Sequence, residues 1–328
     1  MTMKFAQFSG ITVAAAAFAF GAVSDARAQA VEKLTIVIFS PPSLGALLPP
    51  VIKAQKFDIA NGLDITFEER TPDAYVTQFN SGEFKVGGSA SITTMGLADV
   101  RGVKVQYLFN LFDYWGAVVT SRDTVKSVKD LEGKELAGAR STTNYQMSEF
   151  FEKKQGVDLS KVKVVNTAPP GLISYAIADR ADAIQIWEPA YTLMLAKKPS
   201  IRTIDLNIAK TWKDFGGGSI PYLGVGAHAD WVAANPDKVQ KLYTIYKAAV
   251  EWVQKNPDKA APLLAKGAPP EELKAIAAMI KSNERLAMKL TSAADIKKDI
   301  EAVYKAGMEI NYLPSMPSAA SIYDKPLK

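Results

Sequence analysis

One cation and three small hydroxyl side chains stand where a strand-like run gives way to a helical one, in residues 138–151, GARSTTNYQMSEFF. Arg140, Ser141 and Thr142 directly precede the predicted helix. A helix N-terminus presents unpaired N–H groups and a partial positive charge, which together favour an oxyanion. Hydroxyl groups and a guanidinium would add further donors. These residues predict an anion-binding site at the start of this helix.

Ordinary helix capping is the alternative for part of this stretch. Thr143 and Gln146 have the spacing of a capping box, in which each side chain bonds the backbone of the other residue. Capping does not explain Arg140, whose own alternative is a surface position pointing into solvent. If Arg140 does bind an anion, we expect Arg140→Ala to weaken binding more than tenfold, because a permanent charge is lost.

A second group of small residues follows a short strand in the first half of the chain. Ser89, Ala90 and Ser91 come after Gly88 and before a predicted helix. Glycine allows a backbone to approach a ligand closely. We expect Ser89, Ala90 and Ser91 to contact a ligand, with a plain strand-to-helix turn capped by Ser91 as the alternative.

Two loops are further candidates for ligand contact. Ser40 and Pro41 follow the first predicted strand, in a segment that two prolines stiffen, and a simple turn is the alternative. Gly217 and Gly218 belong to a run of three glycines, which suits either a hinge or a loop facing a ligand. A surface loop is the alternative there.

Aromatic residues mark two more positions. Tyr114 and Trp115 lie where the chain is expected to cross between lobes, and Trp187 and Glu188 follow a predicted strand. Aromatic rings here would enclose an organic ligand. Core packing is the alternative for Trp187. Glu188 would pair with an ammonium group or an arginine, and a salt bridge at the rim is equally compatible.

Composition excludes several classes of site. The chain has no cysteine and one histidine, His228, so a disulfide, a thiolate metal site and a histidine-based triad have too few residues. We therefore expect no cofactor and no metal, and we expect His228 at the surface. The net charge of +5 is mild, and no run of basic residues predicts a nucleic-acid partner.

The first 28 residues have the features of a secretory signal peptide. Lys4 supplies a positive start, an alanine-rich apolar run follows, and Ala26-Arg27-Ala28 has the form of a cleavage site. We expect cleavage after Ala28 and no lipid anchor, because no cysteine follows. No later apolar stretch reaches the roughly 18 residues of a membrane helix.

Strand-like and helical segments alternate through most of the remaining chain, which is typical of an α/β fold with largely parallel sheets. Two such sets predict two lobes joined by two crossing strands. We expect lobe 1 to contain residues 29–113 and 222–328, and lobe 2 to contain residues 114–221. Ligands of open α/β sheets bind beyond the carboxyl ends of the strands, where the candidate residues stand.

Two predicted helices are defined by the spacing of their residues or by their prolines. In residues 237–255, apolar residues recur at helical spacing, which predicts a helix with one face packed on the core. These residues are Val239, Leu242, Tyr246, Ala249, Val250 and Val253. Residues 44–57 read as one helix in which Pro49 and Pro50 are an awkward interruption.

Four segments resemble the substrate-binding proteins of ABC importers, in the branch that takes nitrate, sulfonates, taurine or thiamine-pyrimidine precursors. They are LPPVIKAQKFDIANGLDITFEE (48–69), FNSGEFKVGGSASITTM (79–95), SVKDLEGKELAGARSTTNY (127–145) and AIADRADAIQIWEPA (176–190). The resemblance implies a two-lobed type II periplasmic binding protein fold, each lobe a mostly parallel sheet with helices on both faces. The chain departs from the family pattern at two places. One is Arg180, where the family usually has glycine, and the other is the Gly87-Gly88 doublet.

The resemblance implies a periplasmic protein that captures a small organic anion, sulfonate- or taurine-like, in the cleft between its lobes. Its partners would be an inner-membrane ABC permease and the associated ATPase, and we expect a monomer. A binder of a neutral pyrimidine or an aromatic carboxylate, and a sensory adaptor, remain alternatives. An enzyme is disfavoured, because the related pyrimidine-making enzymes rely on histidine and cysteine clusters.

Overall fold

The computed structural model describes residues 1–3 and 31–328, and eleven strands in this part of the chain form two sheets. All but the first three residues of the predicted signal peptide, 1–28, lie outside the described residues. The strands are β1 (Glu32–Phe39), β2 (Leu63–Arg70), β3 (Val86–Ser91), β4 (Val105–Asp113), β5 (Ala117–Thr120), β6 (Glu135–Gly138), β7 (Lys163–Asn166), β8 (Ala183–Ile186), β9 (Arg202–Ile204), β10 (Pro221–His228) and β11 (Met288–Ser292).

Helices connect and cover these strands. They are α1 (Pro49–Gln55), α2 (Phe57–Ala60), α3 (Pro72–Asn80), α4 (Ile92–Val100), α5 (Thr143–Lys154), α6 (Pro169–Ile177), α7 (Ala190–Lys197), α8 (Ile208–Phe215), α9 (Ala229–Ala234), α10 (Pro236–Lys255), α11 (Pro257–Leu264), α12 (Pro270–Ser282) and α13 (Lys297–Glu309). Among the described residues, no helix combines the length and the apolar character that a bilayer crossing requires.

Each sheet is built around three parallel strands. The first sheet has the order β11-β4-β10-β3-β1-β2, and β1 runs parallel to both β2 and β3. The second has the order β7-β6-β8-β5-β9, and β6 runs parallel to both β7 and β8. We call the part of the chain built on the first sheet lobe 1 and the part built on the second sheet lobe 2. The predicted two-lobed α/β fold class is confirmed.

The antiparallel strands of lobe 1 include those that carry the chain between the lobes. β4 leads from lobe 1 towards β5, and β10 brings the chain back, so the two run in opposite directions and pair, with Asn110 opposite Gly224. A Cβ at Gly224 would overlap the Phe109 carbonyl, so only glycine permits this close approach. β11 adds a further antiparallel partner for β4 at the edge of the sheet.

The longest helix, α10, packs on lobe 1 through the stripe that the sequence predicted. Its buried side chains recur at three- and four-residue intervals and include Val239, Leu242, Tyr246, Ala249, Val250 and Val253. Burying a large apolar side chain contributes about 1.5–3 kcal/mol. This stripe therefore fixes α10 against the sheet and leaves its polar face to solvent.

The proline pair near the N-terminus begins a helix rather than interrupting one. Leu44–Ala46 forms a short 3-10 helix, and α1 starts at Pro49. A proline in the first turn costs no hydrogen bond, because the first N–H groups of a helix have no partner within it. The single predicted helix over residues 44–57 is therefore three short elements, and the loop after β1 is held close to the sheet.

Candidate functional site

The two helix starts singled out in the sequence, those of α4 and α5, face each other across the lobes. Ser91 Oγ donates to Thr143 Oγ1 at 2.8 Å, and the Thr143 amide donates back to Ser91 Oγ at 2.9 Å. Thr93 donates to Thr143 Oγ1 from its amide and to Gln146 Oε1 from its hydroxyl, both at 2.9 Å. We call Ser91, Thr93, Thr143 and Gln146 the helix-mouth cluster, and each is at most 1% exposed.

The hydrogen bonds of the helix-mouth cluster form one directed chain. When the Thr143 hydroxyl donates to Thr93 Oγ1, at 2.7 Å, each of the three hydroxyl protons has its own acceptor. Buried polar groups of this kind are stable only when they are satisfied. The amides of Thr93 and Thr143, which an oxyanion would need, bond to protein side chains instead. The predicted anion site at these helix starts is therefore not formed in this structure.

The cap of α5 lies one residue before the predicted one. Thr142 Oγ1 accepts from the Tyr145 amide at 3.2 Å, and its hydroxyl donates to the Ala139 carbonyl at 2.8 Å. The predicted capping box starting at Thr143 is wrong, because the Thr143 hydroxyl crosses to lobe 1. Thr142 is fully buried and its hydroxyl already has two partners within lobe 2.

Arg140 and Ser141 lie on the outer side of the same loop. Arg140 is exposed, its amide donates to Asn166 Oδ1 at 3.0 Å, and its carbonyl accepts from the Gln146 side-chain amide. Ser141 is partly exposed. The backbone of this loop thus bonds Gln146 of the helix-mouth cluster. The Arg140 guanidinium faces solvent, which was the alternative to binding an anion.

The small residues at the end of β3 are packed inside lobe 1. Ser89 is buried and its Oγ accepts from the Phe39 amide at 2.8 Å, while Ala90 is also buried. A Cβ at Gly87 would overlap the hydroxyl of Tyr75. The sequence suggested that glycine here brings the backbone close to a ligand, whereas in this structure it brings the backbone close to a tyrosine.

A cavity of about 1030 Å³ has walls from both lobes, and no residue of the helix-mouth cluster lines it. Lobe 1 supplies the loop after β1, the first turns of α1, part of β2 and the segment joining α11 to α12. Lobe 2 supplies Ile173 from α6 and Pro189, Leu193 and Lys197, which stand four residues apart along α7. Pockets that hold organic ligands usually measure about 300–1,000 Å³, so this cavity has the size of such a site.

The walls of the cavity are mainly aliphatic and proline side chains. They include Ile38, Pro41, Pro42, Ala46, Leu47, Pro49, Pro50, Ile65, Phe67, Ile173, Pro189, Leu193, Leu263, Leu264, Pro269 and Ile276. Of the predicted ligand contacts, Pro41 alone lines the cavity. Ser40 lies just before it, and its amide donates to the Arg70 carbonyl at 2.8 Å. The loop after β1 is therefore the part of the predicted site that adjoins the cavity.

Three lysines and two glutamates, Glu69 and Glu272, are the charged residues that line the cavity, and two of the lysines are paired. Lys53 bonds Asp58 at 2.6 Å and Asp64 at 3.1 Å. Burial lowers the pKa of Lys53, but the bonds to these two carboxylates outweigh burial and raise the pKa above its usual value. Lys197 lies 3.4 Å from Glu272 across the lobes.

The third lysine, Lys266, differs from the other two. It is exposed at the rim of the cavity, and it forms no ion pair within 4.0 Å among the described residues. Lys266 is therefore the cavity lysine whose charge is most available to a ligand.

The predicted aromatic contacts divide into two kinds. Tyr114 is buried, stacks on Phe151 with ring centroids 5.6 Å apart, and meets Tyr222 edge to face. Burial raises the pKa of Tyr114 well above its usual value. Trp187 is also buried and packs in the core, which was the alternative to ligand contact. Both residues support the crossing and the core.

Trp115 and Glu188 form the second kind, because they meet a residue of the other lobe. Trp115 is partly exposed and its ring centre lies 5.9 Å from the guanidinium carbon of Arg285, while Glu188 is buried and bonded to the same arginine. The sequence left open whether Glu188 pairs with an ammonium group or an arginine, and in this structure its partner is an arginine.

The glycines before the second crossing lie away from the cavity. A Cβ at Gly217 would overlap the Trp212 indole, and one at Gly218 would come within 2.7 Å of Asp299 Oδ1. Ser219 Oγ donates to Asp299 Oδ2 at 2.5 Å. These contacts tie the glycine run to α8 and α13, so the small size of the glycines serves packing here.

His228 was expected at the surface and is instead buried. Its Nε2 donates to the Phe79 carbonyl at 2.6 Å, and its ring packs against Phe79 at 5.0 Å. The end of β10 is covered by α3, which the position of His228 at a strand end did not reveal. Within residues 1–3 and 31–328, no three potential metal-ligating side chains come together.

Sequence reasoning missed the lobe 2 residues that line the cavity and the arginine that joins the lobes. Pro189, Leu193 and Lys197 carry one usable signal, since a spacing of four residues puts them on one face of a helix. Lys266 and Arg285 belong to loops around α12 and show no pattern that distinguishes them from other surface cations.

A family model described as NMT1/THI5 like matches residues 57–260, more than half of the chain. No curated protein sequence is a significant match. Among solved structures, the alkanesulfonate-binding protein SsuA from Xanthomonas axonopodis pv. citri, bound to MOPS, has a TM-score of 0.72 at 17% identity over 90% of this chain and 99% of its own.

Two further structures have the same fold. The periplasmic aliphatic sulphonate-binding protein SsuA from Escherichia coli has a TM-score of 0.65 at 16% identity, over 87% of this chain and 95% of its own. A Candida albicans protein described as having the generic periplasmic binding protein fold has a TM-score of 0.66 at 14% identity, over 91% and 97%. Together with the family match, these structures show that the chain is a member of the NMT1/THI5-like family with a periplasmic binding protein fold.

Proposed function

We propose that this protein is the periplasmic solute-binding component of an ABC importer and that it captures an organic anion with an apolar body. The observation that carries the proposal is the cavity of about 1030 Å³ between the lobes, with aliphatic walls and lysines at its edge. The sulfonate-binding proteins that share its fold support a solute-binding role.

The walls of the cavity favour a ligand with a substantial hydrocarbon part. Apolar surface removed from water contributes about 25 cal/mol per Å², so aliphatic walls reward an apolar body. Lys266 and Lys197 would hold the charged end. Nitrate and taurine, which the resemblance includes, are nearly all polar and would leave the walls formed by Leu193 and Pro189 without a partner. Alkanesulfonates and aromatic carboxylates fit this environment better.

Capture would follow from motion of the lobes about the two crossing strands. When the lobes separate, the walls supplied by α1 and α7 move apart and the solute can enter. When they meet, the solute is enclosed, and the hydrogen bonds of the helix-mouth cluster form. No step of this cycle makes or breaks a covalent bond, so we propose binding without catalysis.

The proposed setting follows from the family and from the N-terminal sequence. Residues 1–28 would direct export and be removed after Ala28, leaving a periplasmic monomer. The loaded protein would deliver its solute to an inner-membrane permease driven by an ATPase.

Calorimetry with linear alkanesulfonates of increasing length tests this proposal. Each methylene buried against the walls should contribute about 0.8 kcal/mol, which is about fourfold in affinity, until the cavity is filled. Nitrate and taurine should bind weakly or not at all, and benzoate-type carboxylates should bind. An affinity that does not change with chain length, or binding of a neutral pyrimidine but of no anion, would contradict the proposal.

A further inference from the structure

Two aromatic rings flank a cation at a place outside the lining of the cavity. The rings of Trp115 and Tyr191 meet edge to face, with centroids 5.0 Å apart and planes at 71°. The guanidinium carbon of Arg285 lies 5.9 Å from the first ring centre and 5.3 Å from the second. Both distances are within the roughly 6 Å over which a ring attracts a cation.

A buried carboxylate also contacts this cation, and we call the two rings and the carboxylate the cage. The side chain of Glu188 is 0% exposed, and its Oε1 accepts from Arg285 Nε at 2.7 Å. The amide of Thr192 donates to Oε2 at 3.0 Å, and the Thr192 hydroxyl donates to Oε1 at 2.9 Å. The hydrogen bonds orient the carboxylate, but its charge is compensated by Arg285. A buried charge without a partner is strongly unfavourable.

The cage and the cation belong to different lobes. Trp115 precedes β5, and Glu188 and Tyr191 lie at the start of α7, so the cage is part of lobe 2. Arg285 lies between α12 and β11 and belongs to lobe 1. Its side chain is 37% exposed, so the guanidinium reaches the cage from the solvent edge of the interface. Separation of the lobes must therefore withdraw Arg285 from the cage.

We propose that Trp115, Tyr191 and Glu188 form a binding site for a guanidinium-type cation, and that Arg285 fills this site from lobe 1 and so acts as a latch between the lobes. The site is preorganised within lobe 2, because Thr192 fixes the carboxylate. The proposal does not depend on which solute the cavity holds, since none of these residues lines the cavity.

Two properties should separate a cation site from ordinary surface contact. A free cation of the same shape should enter the cage once Arg285 is removed, because the carboxylate and the rings remain in lobe 2. The same free cation should not bring the lobes back together, because it is not attached to lobe 1. Binding and latching can therefore be measured independently.

Binding is measured by NMR of the tryptophan indole N–H groups in Arg285→Ala, with the Trp115 signal assigned from a Trp115→Phe variant. Ethylguanidinium should shift the Trp115 signal saturably and bind at least tenfold more tightly than it binds the unsubstituted protein. Ethylurea, which has nearly the same shape without the charge, is the matched control and should not bind. Glu188→Gln in the Arg285→Ala background should abolish binding, and Tyr191→Leu in the same background provides a second test should the first variant fail to fold.

Latching is measured by the distance between spin labels on the two lobes. The chain has no cysteine, so Ile59→Cys and Ile177→Cys, both exposed and on different lobes, give two unique labels. Adding Arg285→Ala should lengthen the distance for most of the population. Lys197→Ala, which removes a different cross-lobe ion pair, of 3.4 Å, should lengthen it less.

The proposal is overturned by any of three results. Equal binding of ethylguanidinium and ethylurea would show that the cage does not select a cation. A label distance unchanged by Arg285→Ala would show that Arg285 is not a latch. Recovery of the original distance on adding ethylguanidinium would show that charge compensation alone, without attachment to lobe 1, holds the lobes together.

Discussion

The helix-mouth cluster and the cavity each involve residues of both lobes, and they use opposite chemistry. The cluster is polar, buried and fully bonded, and each of its hydroxyl groups is directed at a residue of the protein. The cavity is mainly apolar, and its lining also includes three lysines and two glutamates. Hydrogen-bonding groups at helix starts thus serve lobe contact in this structure, while under our proposal apolar surface would select the solute.

Four predictions about substitutions distinguish the role of the cluster in lobe contact from the role of the cavity in solute binding. If the comparison is correct, changes in the helix-mouth cluster and its helix should alter lobe contact and stability, and changes in the cavity should alter affinity. The changes below are ordered from the largest expected effect to the smallest.

Removing the Thr143 hydroxyl should have the largest effect. Thr143→Val leaves the Thr93 amide and the Ser91 hydroxyl without an acceptor, and each unsatisfied buried group costs about 1–3 kcal/mol. We expect lobe contact to weaken by about 4 kcal/mol, so the lobes separate and the radius of gyration measured by X-ray scattering increases. Thr94→Val is the matched control, because the Thr94 hydroxyl bonds only the Ser91 carbonyl within lobe 1. An unchanged radius for Thr143→Val would show that the cluster does not hold the lobes.

A buried carboxyl group on the same helix predicts a pH dependence of stability. Burial raises the pKa of Glu152 to about 7, although the Ser148 hydroxyl, which donates to Oε1 at 2.8 Å, acts in the opposite direction. Because the folded protein holds this proton more tightly than the unfolded chain, the stability contribution is present below the ordinary pKa near 4.5 and is lost as pH rises through about 7.

The effect of Glu152 should reach about 3 kcal/mol above pH 8, at about 1.4 kcal/mol per pKa unit. Denaturant unfolding between pH 4 and pH 8 checks this value. Glu152→Gln should remove that part of the pH dependence. Parallel pH profiles for the two proteins would contradict the expectation.

A substitution that fills the cavity should weaken solute binding. It should not affect the hydrogen bonds by which the helix-mouth cluster joins the lobes. Leu193→Trp places a large ring in the space between the lobes, and we expect an alkanesulfonate to bind about tenfold more weakly, because apolar contact area is lost. Ala196→Trp adds the same ring to an exposed position of the same helix and should have no effect. Equal affinity for Leu193→Trp and the unsubstituted protein would place the solute elsewhere.

The smallest expected effect concerns the charged end of the solute. Lys266→Ala removes an exposed charge at the cavity rim, so we expect about a threefold loss of sulfonate affinity that disappears at high salt. Arg140→Ala should leave the affinity within about twofold, because Arg140 is exposed and does not line the cavity. This expectation replaces the large effect that the sequence predicted for Arg140. Titrations at low and high salt test both variants.

Much of the fold could be predicted because the spacing of apolar residues along the sequence indicates which residues are buried. The stripe on α10 was recognised from sequence in this way, and its residues are buried. The edge strand β11 and the pairing of β4 with β10 were not, since strand order depends on contacts far apart in the chain.

The candidate site was less predictable, because its properties depend on the direction of single side chains. Thr142 and Thr143 are neighbours with the same chemistry, yet one caps its helix and the other crosses to lobe 1. Arg140 and Arg285 are both loop arginines, yet the first is exposed and the second pairs with Glu188 of the other lobe. Sequence can identify groups able to form hydrogen bonds, but not whether the protein itself will use them.

A crystal structure of the protein with hexanesulfonate tests the division of roles most directly. We predict that the hydrocarbon chain lies against Pro41 and Leu193 with the sulfonate near Lys266, while Ser91 and Thr143 remain bonded to each other. A sulfonate bound between the amides of Thr93 and Thr143, with the bond between Ser91 and Thr143 broken, would contradict it.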